Sequence, residues 1–490
     1  MQSEINWLHL PDIIWESILS NLDAKCLLKA SLTCKKFNDL LSISHSLMEE
    51  LSLEIGNIFM DYRIRNKENE YKKYFCELKL IKECLQKSER KYESITIYDL
   101  DDHAAENYII DVLIDILKLL AGSVKQITFC DTSLKADNFY KLIQIMKNLK
   151  VLKFKGSDFD RGQVKSVKYS VWPDKKVVVP SINEIYIDQV YNFSFEKLYL
   201  FDTITTLEVN ESYTDYETFE NFLSMQNNLK VLRLRHLRSH FLFQTDELIT
   251  NIKFSLDELT LDEAYCLSNE NAMNFFKKQI NLKKVTLNLQ NLVSIRFGEE
   301  MCCNELLIHF FGNNLQLNTV NLSTYEYRIQ DFSFLKGIVN PSVENLELLL
   351  DSSRNGTKFI AAFTKLFPNV KNFAHTLENE VDHGLEQIHN WKYLESINCS
   401  VKDINQFFQI INLGEKLTTC TINCFYVDDI RKPQLIVFLN RHQNIKYLSL
   451  NPHFFDETTI SVEILSLIVN KLKCLKTLMY RETICSLSNY

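Results

Sequence analysis

Residues 229–234 read Leu-Lys-Val-Leu-Arg-Leu, and this spacing of apolar residues, two variable positions after the first and one after the second, returns along the chain. About fifteen such units occupy residues 92–490, with 22 to 35 residues between successive central apolar positions. Self-similarity at this period is typical of a repeat architecture in which each unit packs on its neighbours. The central positions are Ile95, Ile127, Leu152, Ile185, Leu207, Leu232, Leu259, Val285, Val320, Leu346, Phe373, Ile397, Cys420, Leu448 and Leu478.

The segments between these units carry apolar residues at helical spacing. NENAMNFFKKQI before Leu282 and INQFFQIINLG before Leu417 are examples, and their phenylalanines are predicted to pack in the core. The alternation of strand and helix resembles the irregular leucine-rich repeats of F-box proteins. That resemblance implies an α/β solenoid with a curved parallel sheet inside and helices outside, because strands lie about 4.8 Å apart whereas helices need about 8–10 Å. The family's Asn or Cys position is mostly filled otherwise here, so a buried asparagine ladder is not predicted.

The N-terminal stretch at residues 10–37 reads LPDIIWESILSNLDAKCLLKASLTCKKF. Pro11 suits the start of a helix, Asp23 is a candidate N-cap for a second one, and so short a stretch cannot bury all its large apolar residues by itself. The stretch resembles an F-box, the motif that docks a protein onto the Skp-type adaptor of a cullin ubiquitin ligase. On this resemblance the adaptor-binding residues are Leu10, Pro11, Ile14, Trp15, Ile18, Leu19, Leu22, Leu27, Leu28, Cys34 and Phe37. The alternative is a plain amphipathic helical hairpin.

These patterns divide the chain into three segments. Residues 1–46 are predicted to be the F-box with an N-terminal lead, residues 47–91 a connecting segment with a helix, and residues 92–490 the solenoid. The apolar spacing of the repeats also occurs once in the connecting segment, at Met48, Leu51 and Leu53.

Two stretches of the solenoid depart from the repeat pattern. Residues 156–181 lack a helical pattern and are predicted to be an insertion over a rim. Such a loop either carries recognition, as exposed loops on rigid scaffolds often do, or is a tolerated surface excursion. The last ten residues, RETICSLSNY, are expected to cover the terminal strand edge of the sheet.

The composition of the 490-residue chain argues against a nucleic-acid binder, a membrane protein and a secreted protein. Its formal net charge of −8 differs from the basic balance of most nucleic-acid binders, so we expect no nucleic-acid partner. No apolar run is long enough to span a bilayer and the first residues lack a secretory pattern, so we expect no membrane association. Thirteen cysteines without framework spacing indicate reduced thiols and therefore the cytoplasm or the nucleus.

The usual catalytic motifs are missing from the sequence. It has no GxxxxGK[ST], no GxGxxG after a strand, no GxSxG and no HExxH, and its 11 histidines are dispersed. No Cys/His spacing of a zinc-binding ligase domain occurs. We therefore expect no catalytic residue, no metal and no cofactor. His375, on a repeat strand, is expected to be packed in the core rather than to act as a ligand.

The resemblance to F-box proteins implies a division of roles. The F-box would bind the Skp-type adaptor and, through it, a cullin scaffold, while the solenoid would capture a protein substrate for ubiquitin transfer by a separate E2 enzyme. The chain is therefore interpreted as a non-catalytic substrate-recognition subunit of an SCF-type ubiquitin ligase. The alternative is a leucine-rich-repeat interaction scaffold with no role in degradation.

Side chains that flank the buried pair on each strand are predicted to line the inner wall. In the first half of the repeats many of them are charged, and the residues predicted to contact substrate are Lys153, Lys155, Tyr186, Arg233 and Arg235. The two arginines suit an acidic or phosphorylated element, because guanidinium groups bind carboxylates and phosphates as forks. Alternatively, the arginines are neutralised by acids on the flanking strands, namely Glu208, Glu258 and Asp262. The second half of the wall is predicted to be a neutral surface of Thr, Asn and Ser.

Overall fold

The computed structural model describes most of the chain. The described residues are 11–22, 26, 27, 30, 33–44, 52–56, 67–88, 91–98, 100, 107–132, 134–157, 179–190, 193, 195–212, 216–236, 251–262, 270–288, 300–324, 333–350, 356–377, 385–409, 413, 416–426, 430–452, 460–480 and 483–486. Several sequence predictions therefore lie outside the described residues, namely those on Leu10, Asp23, Leu28, Met48 and Leu51 and on most of the insertion at 156–181.

The chain divides into two compact units. The first holds Met1–Leu229 together with Leu237–Ser239 and Thr250–Phe254, and the second holds Lys230–His236, His240–Ile249 and Ser255–Tyr490. Each unit contains its own run of paired strands and is described by itself below.

The first unit begins with two helices and continues as an array of strands and helices. The helices are α1 (Asp12–Leu19), α2 (Lys35–Ile43), α3 (Lys67–Lys87), α4 (Asn107–Leu120), α5 (Ala136–Ile145) and α6 (Tyr216–Met225), with a 3-10 turn at Phe195–Leu198. The strands are β1 (Ser52–Ile55), β2 (Ser94–Tyr98), β3 (Gln126–Cys130), β4 (Val151–Lys155), β5 (Glu184–Asp188) and β6 (Thr206–Asn210). Each strand pairs in parallel with the next.

The second unit repeats the same arrangement. Its strands are β7 (Val231–Arg235), β8 (Glu258–Asp262), β9 (Lys284–Asn288), β10 (Thr319–Thr324), β11 (Asn345–Leu350), β12 (Asn372–Leu377), β13 (Ser396–Asp403), β14 (Thr419–Tyr426), β15 (Tyr447–Pro452), β16 (Thr477–Tyr480) and β17 (Thr483–Ser486). Its helices are α7 (Glu270–Lys277), α8 (Glu300–Asn313), α9 (Gly356–Leu366), α10 (Ile404–Gln409), α11 (Lys432–Arg441) and α12 (Val462–Lys471), with 3-10 turns at Ser333–Leu335 and Leu385–Asn390. Strands β7 to β16 pair in parallel, and β17 pairs antiparallel with β16, so the end of the chain covers this strand as expected.

The strands bury alternate side chains, as the repeat pattern requires. On β3, Ile127 and Phe129 are fully buried, and their neighbours along the strand are half-buried. The register places Ile127 beside Leu152 of β4, so the repeated apolar positions form continuous rows across adjacent strands. The sheet is thus covered on one face only, and the predicted α/β leucine-rich-repeat class is confirmed.

Phenylalanines of the connecting helices form the cover of that face. On α6, Phe219, Phe222 and Leu223 occupy positions i, i+3 and i+4 and are buried. The ring of Phe219 meets that of Phe195 edge to face, with centroids 4.9 Å apart. The predicted role of these aromatic residues in the core is therefore confirmed for this helix.

Hydroxyl side chains replace the family's asparagine at the exit of the strands in the first unit. Thr132, Ser157 and Ser212 stand three residues after the last buried apolar residue of β3, β4 and β6, and all three are buried. The Ser157 hydroxyl accepts the Thr132 N–H (3.3 Å), and the Ser212 hydroxyl accepts the Val190 N–H (3.1 Å). As predicted, there is no asparagine ladder at these positions. Serine hydroxyl groups instead accept backbone N–H groups of the adjacent repeats.

Buried amide side chains pair the backbone on the opposite side, where the chain approaches β9, β10 and β11 of the second unit. The Asn314 amide oxygen accepts the Leu282 N–H (2.9 Å), and the Gln279 amide oxygen accepts the Leu256 N–H (2.9 Å). Asn340 donates to the carbonyl of Asn314 (2.9 Å). Because an unpaired polar backbone group is costly in a core, each amide stabilises the turn of a neighbouring repeat.

The first strand lies in the segment that the sequence assigned to a connection. β1 pairs with β2 so that Leu53 stands beside Ile95 and Ile55 beside Ile97. The sheet therefore begins before residue 92, and the apolar spacing noted at Met48 was out of register by two residues. Polar Ser52 and Glu54 alternate with the apolar pair, which is the pattern of a strand covered on one face.

The backbone turns into the left-handed region directly after most strands of the first unit. The residues with positive φ at these exits are Gly56, Asp131, Gly156, Gln189 and Glu211. The N–H groups of Asp131, Gly156 and Gln189 donate to carbonyls of the next strand or its exit, as in the bond from Asp131 to the carbonyl of Lys155 (2.8 Å). This recurring turn ends each strand at the same level and directs the chain toward the helical layer.

Among the described helices, none combines the length and the hydropathy needed to cross a bilayer.

Candidate adaptor-docking face and strand faces

Helices α1 and α2, together with described helical residues between them, share a small core of their own. Its buried members are Leu19, Leu27, Leu40 and Leu41, and Trp15, Leu22, Ala30 and Phe37 pack against it. The rings of Trp15 and Phe37 meet edge to face with centroids 4.7 Å apart, and Lys36 pairs with Asp12 across the two helices (3.2 Å). These contacts fix α1 against α2.

The opposite side of α1 exposes apolar side chains. Ile14 and Ile18 are each 44% exposed, and their spacing of four residues puts them on one side of the helix. Pro11 precedes the first helical residue, is exposed, and accepts the Ile14 N–H through its carbonyl (3.0 Å). We call Pro11, Ile14 and Ile18 the α1 face.

The structure thus separates the predicted adaptor-binding residues into two groups. Leu19 and Leu27 are 2% and 0% exposed, so they hold the domain together rather than present a surface. Trp15, Leu22 and Phe37 lie half-buried between that core and the surface, and Cys34 is the half-buried residue before α2. Leu19 and Leu27 thus belong to the core of this domain, and adaptor contact by the predicted residues stays a prediction.

In the first unit, two of the predicted substrate-binding residues lie together. The Lys153 ammonium group lies 5.1 Å from the centre of the Tyr186 ring, and the Tyr186 hydroxyl donates to Glu184 (2.7 Å). Lys155 is exposed, and its register partner on β5 is Asp188. Strands β4 and β5 therefore present a mixed-charge surface rather than a basic one.

In the second unit, Arg233 is neutralised by its neighbour. Its guanidinium Nε lies 2.9 Å from Glu258, and Lys284 approaches the same carboxylate at 3.3 Å. Burial alone would raise the pKa of Glu258, but the hydrogen bond from Arg233 and the two positive charges outweigh it and hold that pKa below its usual value. The alternative foreseen from the sequence, neutralisation across strands, therefore applies to Arg233. Arg235 stands in register with Asp262.

The later strands of the second unit carry the neutral face that the sequence predicted. Asn345 donates to Asn318 (2.6 Å) and accepts from Asn372 (2.7 Å), so one amide ladder runs over β11 and its two neighbours. A second ladder joins β13, β14 and β15, in which Asn451 donates to Asn423 and Asn423 to Asn398. These side chains satisfy one another across strands and leave a surface of low charge.

His375 is packed in the core of the second unit, as predicted. It is 1% exposed, stacks against Phe373, and has no hydrogen-bond partner on either ring nitrogen. Its register neighbours are Leu348 and Cys399, which belong to the same buried row. Burial lowers the pKa of His375 to about 4, because a charged imidazole loses its hydration there.

Acidification is therefore expected to destabilise the protein through His375. His375 takes up a proton near pH 4 in the folded state and near pH 6.5 in the unfolded state. Its contribution to the free energy of unfolding is therefore fully present above pH 6.5 and is lost as the pH falls below 6.5. Between pH 7 and pH 5 the loss should be about 2 kcal/mol, and His375→Leu should remove it. Urea unfolding at both values measures this, with exposed His389→Gln as the control. An undiminished pH dependence in His375→Leu would contradict the assignment.

Two cysteines of β14, Cys420 and Cys424, are buried and unreactive. Burial raises the pKa of the Cys420 thiol, and it raises the pKa of the Cys424 thiol to about 12. A thiol at such a pKa is protonated at neutral pH and is a poor nucleophile. Both cysteines therefore act as small apolar residues in β14.

Residues 7–47 match the family model of the F-box domain, and the chain therefore carries an F-box domain at its N-terminus. F-box domains bind Skp1-type adaptors, and proteins that carry them are generally non-catalytic. No curated protein matches the chain.

Two solved structures resemble the chain at low identity. A chain of the Toll–Spätzle complex of Drosophila is 11% identical with a TM-score of 0.40; the match covers 78% of this chain and 50% of that one, so this chain spans about half its length. The leucine-rich-repeat-containing protein LegL7 from Legionella pneumophila is 12% identical with a TM-score of 0.32, covering 86% and 97% of the two chains. At these scores the fold rests on the strand pairing and burial of the chain itself.

Proposed function

We propose that the chain is the substrate-recognition subunit of an SCF-type ubiquitin ligase. The F-box domain binds a Skp-type adaptor, which connects it to a cullin scaffold, and the repeat units capture a protein substrate. The observation that carries the proposal is the α1 face, where two isoleucines are exposed on a helix whose other side forms a core. Exposed large apolar residues on a helix fixed in this way are typical of a protein-binding surface.

The chain contributes proximity in this function, and not chemistry. By holding a substrate near an E2 enzyme on the cullin complex, it raises the effective concentration of the attacking lysine. Nine of the described cysteines form no disulfide, which agrees with a location in the cytoplasm or the nucleus, and this location belongs to the same proposal.

The experiment compares partner abundance in cells that express the wild-type chain or the variant Ile14→Asp plus Ile18→Asp. Proteins captured by the variant are identified by affinity purification, and their half-lives are measured in both cell lines. A substrate is expected to bind the variant and to accumulate with it. If every captured protein has the same half-life in both lines, the chain is an interaction scaffold with no role in degradation.

A further inference from the structure

The residues directly before the parallel strands β7 to β16 of the second unit form a continuous row, which we call the entry row. Its members are Lys230, Asp257, Lys283, Asn318, Glu344, Lys371, Glu395, Thr418, Lys446 and Lys476. Each backbone N–H in the row donates to the carbonyl of the preceding member, as from Glu395 to Lys371 (2.7 Å) and from Lys476 to Lys446 (2.8 Å). Successive members therefore lie one strand apart, at about 4.8 Å.

In the earlier part of the entry row, lysines stand beside acids and pair with them. Lys283 pairs with Asp257 (3.3 Å) and Lys371 with Glu344 (2.6 Å). The hydrogen bond to Glu344 raises the pKa of Lys371, and the nearby charge of Glu395 acts in the same direction. Opposite charges on neighbouring strands thus balance this part of the row.

At its end the entry row no longer alternates lysines with acids. Lys446 and Lys476 are neighbours on adjacent strands and both are exposed, and neither side chain has an ion pair or hydrogen bond with the part of the chain that the structure describes. Like charges directly opposite each other are destabilising, and the member before them, Thr418, is neutral. Uncompensated positive charge is therefore concentrated at this edge.

The turn that follows α12 adds to the same edge. Lys473 lies in this turn, three residues before Lys476, and is exposed. In the described parts of residues 430–480 the single acid is Glu463, which pairs with Lys432; Asp456 and Glu457 lie outside the described residues. Lys471 closes α12 and Lys473 follows its C-cap, where a cation is stabilised by the helix dipole, but Lys446 and Lys476 have no such local reason.

We propose that this terminal basic edge, formed by Lys446, Lys473 and Lys476, binds an acidic segment of a protein partner. A short acidic peptide interacts with charges within a Debye length of about 8 Å, so the local lysines dominate its binding. A long polyanion such as RNA also meets the field of the whole chain, whose net charge is −8. The charge balance therefore favours the peptide. This proposal does not depend on adaptor binding by the F-box domain.

The test measures binding of a fluorescein-labelled octaglutamate peptide to the full chain by fluorescence anisotropy at physiological ionic strength. The variant Lys446→Gln plus Lys476→Gln is expected to weaken binding about fivefold or more. The matched control, Lys283→Gln plus Lys371→Gln, removes the same charge from paired members of the same row and should change binding less than about twofold. Circular dichroism confirms that both variants keep the fold.

Three results would overturn the proposal. Equal weakening by the two double variants would mean that only the net charge of the chain matters. Absence of octaglutamate binding to the wild-type chain would show that the lysines do not form a site. Tighter binding of a single-stranded RNA of equal charge, lost in Lys446→Gln plus Lys476→Gln, would assign the edge to nucleic acid instead.

Discussion

Replacing Ile14 and Ile18 together with aspartate is expected to weaken binding of a Skp-type adaptor by about 100-fold or more. Two partly exposed isoleucines each contribute on the order of 1–2 kcal/mol when a partner covers them, and a carboxylate in their place must in addition be desolvated. Because neither side chain belongs to the core of α1 and α2, the domain should stay folded. Titration calorimetry with the purified adaptor measures the change.

The matched control changes two exposed apolar residues of another helix. Val462 and Val469 of α12 are 78% and 40% exposed, so Val462→Asp plus Val469→Asp makes the same chemical change outside the F-box domain. This variant should bind the adaptor as the wild-type chain does. Near-normal affinity in the Ile14 and Ile18 variant would exclude the α1 face as the docking surface.

The second large effect is expected from Gly56→Ala, which should lower the free energy of unfolding by about 3 kcal/mol or more. Gly56 follows β1 with φ of +87°, a conformation that residues with a Cβ rarely adopt. A Cβ there would also lie 2.7 Å from the carbonyl oxygen of Tyr98 and 2.6 Å from the ring of Tyr74. The backbone oxygen cannot move without disturbing β2, so the strain adds to the steric overlap.

Two other glycines separate these contributions. Gly337 has φ of +92° with no atom within 4 Å of its added Cβ, so Gly337→Ala should cost about 1–2 kcal/mol from conformation alone. Gly122 also has no atom within 4 Å and no positive φ, so Gly122→Ala should be neutral or slightly stabilising. Urea unfolding of the three variants measures the free energy of unfolding that each substitution removes and so ranks them. If Gly56→Ala lowers the free energy of unfolding no more than Gly337→Ala does, the Tyr98 carbonyl oxygen does not lie as close to Gly56 as the structure has it.

The repeats could be predicted from the sequence because strand periodicity is a local property. Two apolar residues separated by one variable residue identify a strand without knowledge of its partners. Every strand from β2 to β16 was found in this way. β1 was missed because its register depends on β2. Half-buried Leu53 and buried Ile55 stand in the apolar rows of the sheet only through their pairing with Ile95 and Ile97, and the sequence around Met48 offered a second alignment.

The candidate docking site was predictable as a segment but not residue by residue. The apolar spacing of α1 is the same for Ile18 and Leu19, yet one is 44% exposed and the other 2%. Which of two adjacent residues faces inward depends on where α2 packs, and this is a tertiary contact. Similarly, the pairing of Arg233 with Glu258 follows from the register of β7 and β8.

The amide side chains at the strand entries could have been noticed in the sequence. Gln279, Asn314 and Asn340 each stand three residues before the first apolar residue of a repeat. Their role needed the structure, because a Gln or Asn in a turn is usually exposed whereas these three are fully buried.

The reversal of direction at β17 sets a limit on assembly. A parallel sheet could in principle accept the first strand of another molecule beside its last one, and such addition would extend without closing. The four-residue β17 occupies that position and runs antiparallel to β16. An incoming strand would therefore have to pair with a short antiparallel edge strand instead of the parallel β16. Deleting residues 481–490 would uncover the edge of β16 and should increase concentration-dependent association, which sedimentation velocity measures against the full chain.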